Sequence, residues 1–214
     1  MNKIIVENDV ISFDNEEVVI ESKNPFLKIE VKNNVVILDK SNVINLEITM
    51  AKDSTLKYYN YQAKYSKNIV VKMQSKANFK AKISLLGKQD VSWKVDTYML
   101  GNNIKNEVDI KALSKDDASY KIEVNGHVKK NTKNNLMNES IQVLNVNGKK
   151  CEIIPNMLVS SKEVVANHAA SIAHINENEI FYLQSKGILL QDAKKLIEEG
   201  FIKEGFEDKI LQNI

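Results

Sequence analysis

Asn167-His-Ala-Ala-Ser-Ile-Ala-His-Ile-Asn-Glu-Asn-Glu-Ile-Phe-Tyr-Leu-Gln-Ser-Lys-Gly187 divides this chain into two kinds of pattern. Upstream of it, apolar residues recur mostly at every second position. Downstream, they recur at every third or fourth. The first spacing belongs to strands with one wet face, the second to amphipathic helices. Two of the three histidines, His168 and His174, sit at the change of period. A β platform carrying a helical appendage is expected.

Upstream, Leu27, Ile29 and Val31 alternate with Lys28 and Glu30, and Phe79, Ala81, Ile83 and Leu85 alternate with Lys80, Lys82 and Ser84. Val91, Trp93 and Val95 continue the theme, as do Tyr120, Ile122 and Val124. Polar corners separate the runs, at Asn33-Asn34, Gly101-Asn-Asn103, Lys115-Asp-Asp117 and Asn131-Thr-Lys-Asn-Asn135. Asn and Asp tolerate left-handed backbone, so they turn the chain where Gly is scarce. The pattern predicts an all-β body of roughly 150 residues, either a β-sandwich or a β-helix. Hairpin signals are confined to Asn125-Gly126 and Asn147-Gly148, which leans toward a solenoid. No clean internal repeat decides between the two. His127, next to Gly126, is expected on the surface at a turn, and a last alternating segment is expected over 156–165.

Downstream, Asn176 followed by Glu179 predicts a helix N-cap. Ile180, Phe181, Leu183 and Gln184 form a first helix, closed by Gly187 as a left-handed cap. Leu189, Ala193, Leu196, Ile197 and Gly200 fall on one face of a second helix. Phe206, Ile210 and Leu211 predict a short third helix, expected to fray. The apolar stripe must be buried on the body, offered to a partner, or divided between the two.

Composition narrows the function. The chain has 214 residues, 43% of them hydrophobic, and a net charge of +2. All of its basic residues are Lys, which argues against nucleic-acid recognition through Arg. Cys151 is the single cysteine, so no disulfide forms within the chain. No apolar run approaches the ~18 residues of a membrane span. The N-terminal stretch has acidic residues where a signal peptide needs its apolar core, so a cytoplasmic protein is expected. Gly87-Lys88 and Gly148-Lys149 lack the rest of a phosphate-binding loop, which argues against an intrinsic ATPase. His168, His174 and Cys151 lack the short spacings of a zinc site. Carboxylates are mostly scattered between lysines, against glycosidase or lyase chemistry. The Tyr58-Tyr59-Asn-Tyr61-Gln-Ala-Lys-Tyr65 cluster reads as a stacking platform or as edge packing.

One combination is more specific. His168-Ala-Ala-Ser171, Ala173-His174-Ile175, Glu177-Asn-Glu-Ile-Phe181-Tyr182-Leu183, Ser185-Lys186-Gly187-Ile188, and Gln191-Asp-Ala193 through Gly200-Phe201 occur in that order. Together they resemble the C-terminal signature of the SufB/SufD family of iron–sulfur cluster assembly proteins. The resemblance implies a right-handed parallel β-helix over residues 1–170. It also implies a helical segment over 171–214 that docks a separate SufC-like ABC-type ATPase. Members pair through their β-helices, so a homodimer or a heterodimer with a related subunit is expected. The chain itself would be a non-catalytic scaffold for a transient iron–sulfur cluster, with no nucleic-acid or membrane partner. The resemblance makes His168 a candidate metal ligand, with Cys151 and Glu177 as further candidates. Phe181, Tyr182, Ile188, Leu189, Leu196 and Phe201 would contact the ATPase. Two alternatives are an ATPase-binding β-helix that handles no metal and a carbohydrate-active β-helix.

Overall fold

The computed structural model describes residues 1–87 and 89–213; Lys88 of the Gly87-Lys88 pair and Ile214 lie outside the described residues. The first strands are β1 (Asn2–Ile5), β2 (Val10–Phe13), β3 (Glu17–Glu21), β4 (Phe26–Val31), β5 (Asn34–Asp39), β6 (Asn45–Met50), β7 (Thr55–Ala63) and β8 (Lys67–Met73). They continue as β9 (Asn78–Gly87), β10 (Val91–Met99), β11 (Lys105–Ser114), β12 (Tyr120–Val128), β13 (Asn135–Asn145), β14 (Cys151–Val159) and β15 (Val164–Ala173). Odd-numbered strands form an eight-stranded sheet and even-numbered strands a seven-stranded one, each in chain order. Every pairing is parallel. The chain therefore winds back and forth between two facing sheets, as a β-solenoid.

Period two explains the packing. Residues of one parity point between the sheets, and those of the other face outward. Ile29, Ile48 and Val71 are inward and fully buried, as are Trp93, Val95, Ile122 and Val124 from the later coils. Parallel register stacks like upon like: Phe79, Asn106 and Met137 stand in one inward row, and Ala81, Val108 and Glu139 in the next. The coils are not equal. Asn2 pairs with Val18 but Lys105 with Leu136, so one coil takes from 16 to 31 residues. That variation hides the repeat in the sequence.

Asparagine serves the solenoid twice. Asn15, Asn103, Asn131 and Asn134 hold positive φ at corners, with Asp53, Asp116 and Asp117. On the flat faces, Asn156 donates to Asn125 at 2.8 Å and Asn167 to Asn138 at 3.0 Å, linking successive coils. Asn125-Gly126 is thus not a hairpin. Gly126 lies inside β12, and His127 is stacked flat on Tyr98 of the neighbouring strand at 4.3 Å. The expected strand over 156–165 divides between β14 and β15, and β15 carries extended structure through the junction to Ala173. Backbone pairing to β13 outweighs the local change of pattern there.

Three helices follow: α1 (Glu177–Ser185), α2 (Leu190–Lys203) and α3 (Asp208–Leu211). Asn176 caps α1 by accepting from the Asn178 amide at 2.9 Å, and Gly187 at φ +85° ends its turn. One face of α2 packs outside the larger sheet, where Ile202 joins Leu113 and Leu144, with Ile197 and Phe201 beside them. Lys115 pairs with Glu198 at 2.6 Å, Lys111 pairs with Glu204, and the Lys111 ammonium lies 5.0 Å from the Phe201 ring centre. Residue α3 Ile210 is 1% exposed against Val19, Leu38 and Tyr59, so the third helix is docked, contrary to the expected fraying. Among the described residues no helix is long and apolar enough to cross a membrane.

Candidate functional site

The last coil is made by β14 and β15, which are the edge strands of the two sheets at the same end. Among the described residues no further coil covers their inward rows. Cys151, Ile153, Met157, Val164 and Ala166 are therefore only partly buried on top of the core. Further along, Ile172 is 44% exposed. Outward-facing Leu158 and Val165 are also exposed. The unpaired edges of β14 and β15 leave backbone donors and acceptors free to pair with another chain.

His168 belongs to the inward row of β15. It stands in register with Glu139 of β13, one strand deeper. Its imidazole is exposed. Glu139 is 2% exposed, and neither carboxyl oxygen has a partner. Burial alone pushes its pKa up from 4.5 to about 8, so the group is neutral at neutral pH. The carboxyl occupies space that Gly126 leaves on the facing sheet. A Cβ at Gly126 would come within 2.5 Å of Glu139 Oε1 and would also strike Met137 Sδ. One coil below, Asn106 donates to Thr97 at 2.7 Å while its Oδ1 has no partner. Directly beneath Glu139 stands apolar Val108, while Asn106 belongs to the neighbouring row.

The other expected ligands stand elsewhere. Met157 pairs with Gly126 and so shares the mouth with His168. Cys151 pairs with Tyr120, roughly 20 Å along β14 from Met157. Glu177 is exposed in the first turn of α1, beyond the end of β15. Among the described residues no group of three His, Cys, Asp or Glu converges on a common point. His174 donates from Nδ1 to the Asn145 carbonyl at 2.8 Å, away from the His168 row.

Of the expected partner-binding residues, Phe181, Tyr182, Leu189 and Leu196 are exposed by 73, 60, 72 and 52%. Ile188 and Phe201 are half-buried, and Phe201 faces the body. α1 packs mainly against α2, and it buries none of its residues. The tyrosine cluster is not an exposed platform. Tyr58 donates to Asp39 at 2.5 Å in the core, Tyr65 donates to the Ser41 carbonyl, and Tyr59 and Tyr61 lie under Phe206. Glu107 and Asp109, neighbours on the outer face, are each held by a lysine of β9.

Glu139 was not among the expected site residues. Its signal was present in Leu136-Met-Asn-Glu-Ser-Ile141, where the acidic residue falls on the apolar parity.

Residues 32–201 match the family model described as SUF system FeS cluster assembly, SufBD core domain. An iron–sulfur cluster assembly SufBD family protein of Galdieria sulphuraria is 35% identical over 66 residues, covering 31% of this chain and 30% of that protein. A SufBD family protein of Mycobacterium leprae is 34% identical over 59 residues, covering 27% and 15%. The iron–sulfur cluster assembly protein SufD of Bacillus subtilis is 35% identical over 48 residues, covering 22% and 11%. The matched part spans less than a third of each of these relatives.

Proposed function

This chain belongs to the SufB/SufD family of iron–sulfur cluster assembly proteins, and from that membership we propose that it is a scaffold subunit on which a cluster is built. The observation that carries the proposal is the open last coil with His168 at its mouth. Two such ends, brought together edge to edge, would bury the exposed apolar residues of both and enclose His168 between them. Imidazole is a suitable ligand for iron, the cargo of such a scaffold. The partner copy is a second copy of this chain or a related β-solenoid subunit.

The helical segment has a separate task. Its inner face is committed to the body, while Phe181, Tyr182, Leu189 and Leu196 are left outside. We assign this surface to a SufC-like ABC-type ATPase, with ATP hydrolysis residing in that partner. Closure of two bound ATPases would strain and remodel the junction between solenoids.

The experiment is iron and sulfide loading of the anaerobically purified chain together with its ATPase, comparing wild type with His168→Ala. Loss of loading in the variant is expected. Equal loading would remove His168 from the site. A second reading is an ATPase-binding solenoid that handles no metal, and the wide separation of Cys151 from His168 favours it. In that case the ATPase co-elutes but the wild type carries no iron.

A further inference from the structure

We propose that Glu139 is the second protein ligand at the mouth of the solenoid, and that Glu139 and His168 together bind a divalent cation. The choice of ferrous iron as the natural occupant rests on the scaffold reading above.

Glu139 and His168 are paired residues on adjacent parallel strands of the same sheet. Their side chains leave the sheet on the same face, about 4.8 Å apart at the backbone. Both are inward. His168 is uncovered only because no coil follows it, while Glu139 is the first group beneath it. Among the described residues neither Glu139 oxygen has a hydrogen-bond partner, and the His168 imidazole is exposed. Among the described residues no lysine bonds to Glu139, although lysines partner many other carboxylates, including Asp39, Glu47, Glu107 and Asp109.

The space for this carboxyl is built into the facing sheet. Gly126 is in the middle of β12, where any side chain would collide with Glu139 and Met137. A carboxyl in an apolar core with both oxygens unpartnered is unfavourable. A cation at the mouth would give those oxygens their missing partner. The same cation would satisfy the imidazole above them. One carboxylate oxygen and one imidazole nitrogen, with solvent completing the shell, form a donor set of the borderline kind that suits ferrous iron. Cys151, near the other end of β14, takes no part.

The test is anaerobic equilibrium dialysis of the full chain against ferrous iron alone, with neither sulfide nor ATPase present. Wild type is expected to bind one ion per chain. Glu139→Gln and His168→Ala are each expected to weaken binding at least tenfold. Glu139→Gln is isosteric, and far-UV circular dichroism checks that the solenoid is retained. If His168→Ala loses binding and folded Glu139→Gln binds as wild type does, the role of Glu139 is overturned while His168 stands. If the wild type binds no ferrous iron, or neither variant differs from it, the two-ligand site is overturned. The loading experiment with the ATPase then decides the scaffold reading independently.

Discussion

Replacing Glu139 by Gln changes how stability depends on pH, with a sign that follows from burial. The carboxyl has a folded pKa of about 8 against 4.5 when exposed. Below the lower value, both folded and unfolded chains hold the proton. Between the two values, the unfolded chain has lost it and the folded chain keeps it, so folding takes up a proton. Stability therefore falls as pH rises, by up to about 1.4 kcal/mol per unit, and levels off above the folded pKa. From about pH 6 to about pH 8 the carboxyl should cost the wild type about 2 kcal/mol. Gln has the same shape and no charge to lose, so this term vanishes in the variant. Urea unfolding followed through Trp93, the single tryptophan and a fully buried one, measures both proteins at each pH. All other titrating groups are shared and cancel in the difference. Glu139→Gln should gain about 2 kcal/mol on the wild type over this range. A difference that stays constant with pH would mean that Glu139 is already ionised in the folded chain, and the argument from a buried, unpartnered carboxyl would fail.

Two further outcomes follow from the packing. Asp39→Ala strands Lys67, whose side chain is 0% exposed, so calorimetry or urea unfolding should show a loss of about 3–5 kcal/mol, far more than at any surface ion pair. The double variant Phe181→Ser, Leu189→Ser removes two exposed side chains and should change stability by less than about 0.5 kcal/mol per site. It should nevertheless abolish co-elution with the ABC-type ATPase on size-exclusion chromatography. Retained co-elution would move the docking surface elsewhere.

The elements were legible in the sequence because their causes are local. Alternation set the strands, Asn and Asp marked the corners, and Asn176 and Gly187 bounded the first helix. Two local signals misled. Asn125-Gly126 looks like a hairpin turn, yet Gly126 is needed for what lies across from it, and no neighbour in sequence reports that contact. The run from His168 to Ala173 looked like a junction, yet it pairs along β13. Of the residues expected to contact a partner, Phe181, Tyr182, Leu189 and Leu196 are exposed. Phe201, expected to contact a partner, turns to the body, since the angle at which α2 lies on the sheet decides which apolar residues are covered.

What the sequence determined by itself is the alphabet of strands, corners and caps, together with the family signature over the last third of the chain. Short-range sterics and hydrogen bonding suffice for these. Tertiary structure alone decided how the coils close and stack. Coil length varies, so sequence separation does not say which residue lies above which. Only the burial of whole inward rows brings Glu139 beneath His168, opens the gap at Gly126 to receive it, and leaves Cys151 far along β14.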